Sequence, residues 1–372
     1  MNVLVIGAGH MGCGIAAAAM LSGDRVKLID TNPERAEAGV SRARERAARL
    51  RTDVPGTVEA ASWTSELSDV GMVVEAVAED TTIKATALRR AAALAPNAVL
   101  ATNTSSLSVA HLATVGRAPA RTLGLHFFSP AHTSQLVEAV GHAQLDPAQL
   151  VCAVSWATHL GKTVVVVKDT PGFIVNRVAR PLYLEAERLV EAGAAAEDVD
   201  AELRAIGFPV GPLEIVDRTG LDIHAAVSDT LYQQLGYGRF RPVPVVRSLI
   251  DQGRLGLKSG LGFLAYEHGR RVDQGTLTRE ADDELSIVCK TILAAYVNEA
   301  AHMIDEGSAT RTQIETALKL ALGHPVGPFG WLPVLGGSGA TARLLEATSR
   351  ERDTIGPPAH ALTTGELDDV HC

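Results

Sequence analysis

Cysteine is scarce in this chain of 372 residues: Cys13, Cys152, Cys289 and Cys372 stand far apart, with no C-x-x-C among them. That spacing argues against a disulfide framework and a zinc site, and it fits reduced thiols in a cytoplasmic protein. His10, His132 and His324 lack metal-ligand spacing too, so no metal is expected. Basic residues are outnumbered, 34 Lys and Arg against 43 Asp and Glu for a net charge of −9. A general nucleic-acid or anionic-membrane binder needs the opposite balance. No apolar run is long and unbroken enough to span a bilayer. The opening Met1-Asn-Val-Leu-Val-Ile-Gly7 lacks the basic region and cleavage site of a signal peptide, so a cytoplasmic location is expected.

What the chain does have is apolar residues, 46% of the total, enough for two or three domains with substantial cores. Apolar runs at 3–6, 26–29, 72–77, 98–102 and 122–127 alternate with Ala-rich helical stretches. This alternation predicts βαβ units and a parallel sheet. Runs at 135–140 and 163–167 add two more strands, the second at an edge or closing the sheet. From Asp169 onward helical patterns with Gly and Pro punctuation take over. Here Tyr183-Leu-Glu-Ala-Glu-Arg-Leu-Val-Glu-Ala-Gly and Gly207-Phe-Pro-Val-Gly-Pro-Leu recur as Tyr296-Val-Asn-Glu-Ala-Ala-His-Met-Ile-Asp-Glu-Gly and Gly323-His-Pro-Val-Gly-Pro-Phe. The expected organisation is an α/β Rossmann domain over 1–168, two copies of one helical unit over 169–270 and 271–356, and a loose tail over 357–372. A second copy covers internally the apolar face that a partner subunit would otherwise cover, so a monomer is expected, with a homodimer as the alternative.

Gly7-Ala8-Gly9-His10-Met11-Gly12 is a G-x-G-x-x-G directly after the first strand. Gly7 permits the tight turn, Gly9 lets the backbone approach a pyrophosphate, and Gly12 lets helix and strand pack closely. With Met11, these residues form the expected dinucleotide loop, whose phosphates meet the helix N-terminus. Asp30 ends the second strand about twenty residues on, where an acid binds the adenine ribose. It would repel a 2′-phosphate, and Thr31 and Asn32 supply no cation, so NAD is expected rather than NADP.

His126 closes a strand at the sheet's expected carboxyl edge, and Glu138 lies on the next strand. Oxidising a secondary alcohol needs a base for the hydroxyl proton while hydride leaves, and imidazole suits that work. A carboxylate beside it would hold the tautomer and steady the positive charge. Together with Val74–Glu79, Asn103–Ser108, His126–His132 and Asp169–Arg177, these motifs resemble the L-3-hydroxyacyl-CoA dehydrogenase family, in order and in spacing, from residue 1 to about residue 235. The helical repeat resembles the doubled C-terminal domain of the family's longer members. The resemblance implies the same roles for His126 and Glu138 and has Ser105 and Asn176 hydrogen-bond the reacting oxygen. It also implies that Glu79, Lys84, Asn103 and Ser129 surround the cofactor, with Lys258 near the nicotinamide side, and that a 3-hydroxyacyl thioester lies between the Rossmann domain and the first helical unit.

Three departures from the family stand out. Ser129 occupies a position where Asn is usual, and Ser134 one where Met is usual. The interval from Asp30 to Met72 is short, where most members carry a Lys-rich hairpin that touches coenzyme A. It offers Arg42, Arg44, Arg46, Arg49 and Arg51 on one helix, readable as a solvated face or as a surface for an acidic acyl carrier protein, as in natural-product pathways. The second helical copy lacks the Pro-Gly-Phe-Ile-Val-Asn-Arg segment and is expected to pack rather than catalyse. Rival readings are a dehydrogenase of free hydroxy acids or sugar acids, with Arg177 as carboxylate ligand, and a non-catalytic dinucleotide-binding protein.

Overall fold

The computed structural model describes residues 1–272, 285–351 and 354–368. By its internal contacts the chain divides into two units, Met1–Phe173 and Ile174–Cys372.

The first unit is built on an eight-stranded sheet of β1 (Asn2–Ile6), β2 (Arg25–Ile29), β3 (Thr57–Ala60), β4 (Met72–Glu75), β5 (Val99–Thr102), β6 (Thr122–Phe127), β7 (Leu136–Gly141) and β8 (Thr163–Lys168), in the order β3-β2-β1-β4-β5-β6-β7-β8. All pairings are parallel except β6 with β7. The strand β3 is an addition to those foreseen; it is short and amphipathic and gives little periodic signal. Alternation assigns the two faces of β1: Val3 and Val5 join the cluster that includes Ile15 and Trp156, while Leu4 and Ile6 join that of Leu88 and Leu112. Burial on both sides is why these strands read as continuous apolar runs. The helices are α1 (His10–Leu21), α2 (Pro33–Leu50), α3 (Thr81–Leu94), α4 (Val109–Val115) and α5 (Pro147–His159). Ala16–Ala19 make α1 thin, and it is buried from Gly12 to Met20. The strand order reverses direction between β1 and β4, the crevice where open α/β sheets bind ligands.

The second unit, taken by itself, is helical: α6 (Val175–Glu191), α7 (Ala196–Ala205), α8 (Pro212–Thr219), α9 (Leu221–Leu235), α10 (Pro244–Asp251), α11 (Ile287–Asp305), α12 (Arg311–Leu322), α13 (Ser338–Glu351) and α14 (His360–Thr364). A small hairpin, Tyr266–Glu267 with Arg270–Arg271, is its sheet among the described residues. The long helices α6 and α11 pack on each other. Asp200 on α7 accepts the N–H groups of Leu213 (2.8 Å) and Glu214 (3.0 Å) at the start of α8, and Glu315 on α12 accepts that of Phe329 (2.8 Å) in the turn Pro328–Trp331. The stretch beyond residue 357 is docked as far as the description reaches. Pro357 accepts from Asn298 Nδ2 (3.0 Å), α14 packs on α11, and Leu362 is buried. The expected loose tail is corrected there, because α14 brings its apolar side to α11; residues 369–372 lie outside the described residues.

Candidate active site

At the carboxyl ends of β1, β2 and β4 a cavity of about 950 Å³ is lined by Gly7, Gly9, Asp30 and Ala76–Ala78, among others. Gly7 has φ +102°, and a Cβ there would stand 2.6 Å from the Ala76 carbonyl oxygen, so glycine is required. A Cβ on Gly12 would lie 1.8 Å from the Gly7 oxygen, which shows how closely α1 meets the loop. A Cβ on Gly9 would meet nothing within 4 Å, and Gly9 lines the cavity, leaving room for a close ligand. Met11 packs against the domain core. Asp30 accepts the Ala8 N–H (3.0 Å) and the Asn32 N–H (3.1 Å). Partial burial opposes its ionisation, but these bonds, that from Thr31 and the nearby Arg35 hold its carboxyl below the usual range. The residues fit a dinucleotide: an open glycine cradle for the phosphates and a charged acid for the ribose.

Beside this cavity a chain of polar groups shapes the loop after β5. Lys84 is 1% exposed and pairs with Glu75 at 2.9 Å and Glu79 at 3.2 Å. Glu79 accepts from Thr104 Oγ1 (2.6 Å) and from the N–H groups of Ser105 (2.9 Å) and Ser106 (3.1 Å). Burial works against the Glu79 charge, yet Lys84 and these donors hold its pKa low. Lys84 and Glu79 thus set the position of Ser105. Asn103 Oδ1 accepts the Phe127 N–H at 2.8 Å, tying the loop after β5 to the end of β6.

His126 and Glu138 are directly opposite each other in the antiparallel β6–β7 pair. Their side chains meet at 2.8 Å, Nδ1 to Oε2, with Glu138 fully buried and His126 6% exposed. The carboxylate can only accept from a neutral imidazole, so Nδ1 carries the proton and Nε2 is left basic. Phe128 (ring centroids 4.4 Å apart) and Phe173 (5.7 Å) flank the imidazole. Phe173 holds φ +50°, costly for a non-glycine residue, in the turn that ends the unit. Ser129, followed by a cis bond to Pro130, has its hydroxyl 3.0 Å from His10 Nε2.

Asn176 and Lys258 belong to the second unit, Asn176 in the first turn of α6 and Lys258 in the turn Leu257–Ser259, its ammonium 2.5 Å from Asp222. Arg177 is 1% exposed and committed to Glu299 (2.7 Å) and, in a bidentate pair, to Glu306 (2.7 Å each). It is therefore unavailable as a ligand for a substrate carboxylate, which removes the support for the free-acid reading. The helix arginines are also reassigned. Arg42, Arg44 and Arg46 donate to the carbonyls of Ala8 (2.9 Å), Val58 (2.8 Å) and His10 (2.7 Å), so these three are anchored at one end while Arg42 and Arg44 stay exposed. Sequence reasoning missed Trp63 and Arg90, which stack at 4.4 Å on the cavity wall. Their separation in sequence offered no signal. Asp169, which opens a motif noted in the sequence but had no role assigned, accepts the N–H groups of Val109 (3.0 Å) and Ala110 (2.8 Å) at the start of α4.

The family model described as 3-hydroxyacyl-CoA dehydrogenase, NAD binding domain, matches residues 2–170. The model for the C-terminal domain of the same enzymes matches residues 172–266 and 288–362. A probable 3-hydroxybutyryl-CoA dehydrogenase of Bacillus subtilis is 35% identical over 72% of this chain and 97% of its own length. The fatty acid oxidation complex subunit alpha of Shewanella frigidimarina is 30% identical over 96% of this chain, which spans 54% of that longer protein. Among solved structures, 3-hydroxybutyryl-CoA dehydrogenase from Escherichia coli K12 superposes with a TM-score of 0.86 at 28% identity, covering 99% of this chain and 98% of its own.

Proposed function

This chain belongs to the 3-hydroxyacyl-CoA dehydrogenase family, and from that premise we propose how its residues divide the work of an NAD-dependent dehydrogenase of 3-hydroxyacyl-CoA thioesters. Bound in the cavity at Gly7, Gly9 and Asp30, NAD would supply the acceptor for the hydride of the substrate's carbinol carbon. His126 takes the hydroxyl proton on Nε2 as the C–O bond becomes a carbonyl, and in reverse it donates that proton to the 3-oxo oxygen. The observation that carries this reading is the 2.8 Å bond from His126 to the fully buried Glu138, which fixes the tautomer and stabilises the imidazolium. Ser105, held by Glu79, donates to the reacting oxygen and favours its developing charge. Gly7, Gly9, Met11, Gly12, Asp30, Asn103 and Ser129 serve the cofactor, with Glu79 and Lys84 acting through the loop they position. Asn176 and Lys258 keep the roles the family resemblance assigns them.

The helical unit is read as a duplication. The support is reciprocal contact: a Cβ on Gly207 would lie 3.5 Å from the ring of Pro325, and one on Gly323 would lie 3.5 Å from that of Pro209. Matching residues that touch each other's counterparts are the mark of a two-fold arrangement. A chain that contains its own two-fold pairing is proposed to be a monomer.

The test is NADH oxidation with acetoacetyl-CoA, with acetoacetyl carrier protein as second substrate and His126→Ala as control. Turnover of the coenzyme A ester, lost by about 10³-fold in the variant, is expected. Turnover confined to the carrier-bound ester would favour a carrier-dependent enzyme, the reading suggested by the short 30–72 interval. Equal turnover by parent and variant would sink the assignment of His126.

A further inference from the structure

A dinucleotide-binding loop meets its phosphates with backbone N–H groups and a helix N-terminus, and neither requires arginine. This chain adds guanidinium groups at that place. Arg35, Arg42 and Arg46 fall on one face of α2, and all three line the cavity that holds Gly7 and Gly9. Arg42 Nη2 donates to the Ala8 carbonyl at 2.9 Å. Arg46 Nη1 donates to the His10 carbonyl at 2.7 Å, and its Nη2 lies 3.1 Å from His10 Nδ1. Both guanidiniums are thereby fixed on the glycine loop itself. Each carries five N–H donors, so these contacts leave donors on both for a ligand in the cavity. The His10 contacts form a directed chain. Arg46 donates to Nδ1, so the proton sits on Nε2 and is donated to Ser129 Oγ at 3.0 Å. A neutral His10 suits this arrangement, and burial together with Arg46 pushes its pKa down. The phosphate loop is thus linked to the segment that follows His126.

The charge at the cavity agrees. Asp30 stands against Arg35, Arg42, Arg46 and Arg90 among its lining residues, although the chain as a whole carries −9. A positive cavity in an acidic protein points to an anionic ligand portion, and arginine forks match phosphate oxygens in geometry as well as charge.

We propose that Arg42 and Arg46 bind the pyrophosphate of the dinucleotide from above the glycine loop, so that cofactor affinity in this chain has a large electrostatic share. The proposal rests on the reading of this cavity as the NAD site and adds a binding role for α2. It also gives Arg42 and Arg46 a role that needs no acidic carrier protein.

The experiment is calorimetric titration of NADH into the full chain at about 0.02 M and about 0.5 M salt, for the parent, Arg42→Gln, Arg46→Gln and Arg46→Lys. The parent is expected to lose affinity as salt rises. Each Gln variant binds about tenfold more weakly at low salt, with the gap closing at high salt, and Arg46→Lys retains most of the salt dependence. Unchanged affinity in the Gln variants overturns the proposal. So does an equal loss at both salt concentrations, which would mean that the arginines only hold the loop's shape. A parent that binds no NADH at either salt would instead bring down the cofactor reading on which the proposal stands.

Discussion

Burying a carboxylate with no exposed surface, as at Glu138, is tolerable only when hydrogen bonds offset its lost hydration. Its partner His126 sits across the strand pair, where antiparallel neighbours bring side chains within reach. Glu138→Gln keeps the shape but can no longer stabilise an imidazolium. We expect kcat to fall by about 10²-fold or more with NADH affinity unchanged; measured together, a preserved kcat would show that the carboxylate only packs. This pair was legible in sequence because an acid inside an apolar strand demands an explanation. The role of Lys84 was not, since a lysine at a helix start reads equally as surface, and only the meeting of β4, α3 and the loop after β5 buries it between Glu75 and Glu79.

At the scale of elements, α6 and α11 are joined by charge as well as by apolar packing. Arg177 and Arg239 both donate to Glu299, which is fully buried. Glu299→Gln leaves two largely buried guanidiniums short of their counter-ion, and the helical unit should lose about 3 kcal/mol in urea unfolding; an unchanged midpoint would contradict the account. The helices themselves were legible from their periodicity. Which charged residues sit inside was not, because Arg177 looks the same in sequence whether it meets a substrate or another helix. The same holds for α2, whose arginines spell a basic face until the fold brings β1 and its glycine loop alongside.

For the whole molecule two measurements follow. A monomer predicts a solution mass near the chain's 39.1 kDa, and light scattering that gave twice this value would end the idea that the internal pairing replaces a partner. The pairing also contains a titratable group. The His324 ring is tilted against that of Phe208 with centroids 4.5 Å apart, and burial lowers its pKa to about 4 from the ordinary 6.5. The folded protein thus keeps it neutral where an unfolded chain would protonate it. Its contribution is complete above pH 6.5 and is lost as pH falls through about 4, amounting to roughly 3 kcal/mol. His324→Phe, which makes Gly323-His-Pro match Gly207-Phe-Pro, should flatten that acid loss. It also leaves the Tyr296 hydroxyl without the 3.0 Å contact to His324, at a cost of about 1 kcal/mol. Parallel stability curves for parent and variant from pH 7 to 4 would refute the assignment.

The residue order alone determined the parallel sheet, the glycine loop with its acid, and the His126–Glu138 pair. These are local patterns: periodicities, turn residues and short spacings, within one βαβ unit for the glycine loop and its acid and between two successive strands for His126 and Glu138, that follow from backbone sterics and burial. Tertiary structure alone decided which charges are spent on the protein itself. Arg177, Glu79, Arg42, Arg44 and Arg46 found partners on other segments, and Lys84 was buried between Glu75 and Glu79. An ionisable side chain takes its role from the groups that replace its water, and those groups are known only once the chain has folded.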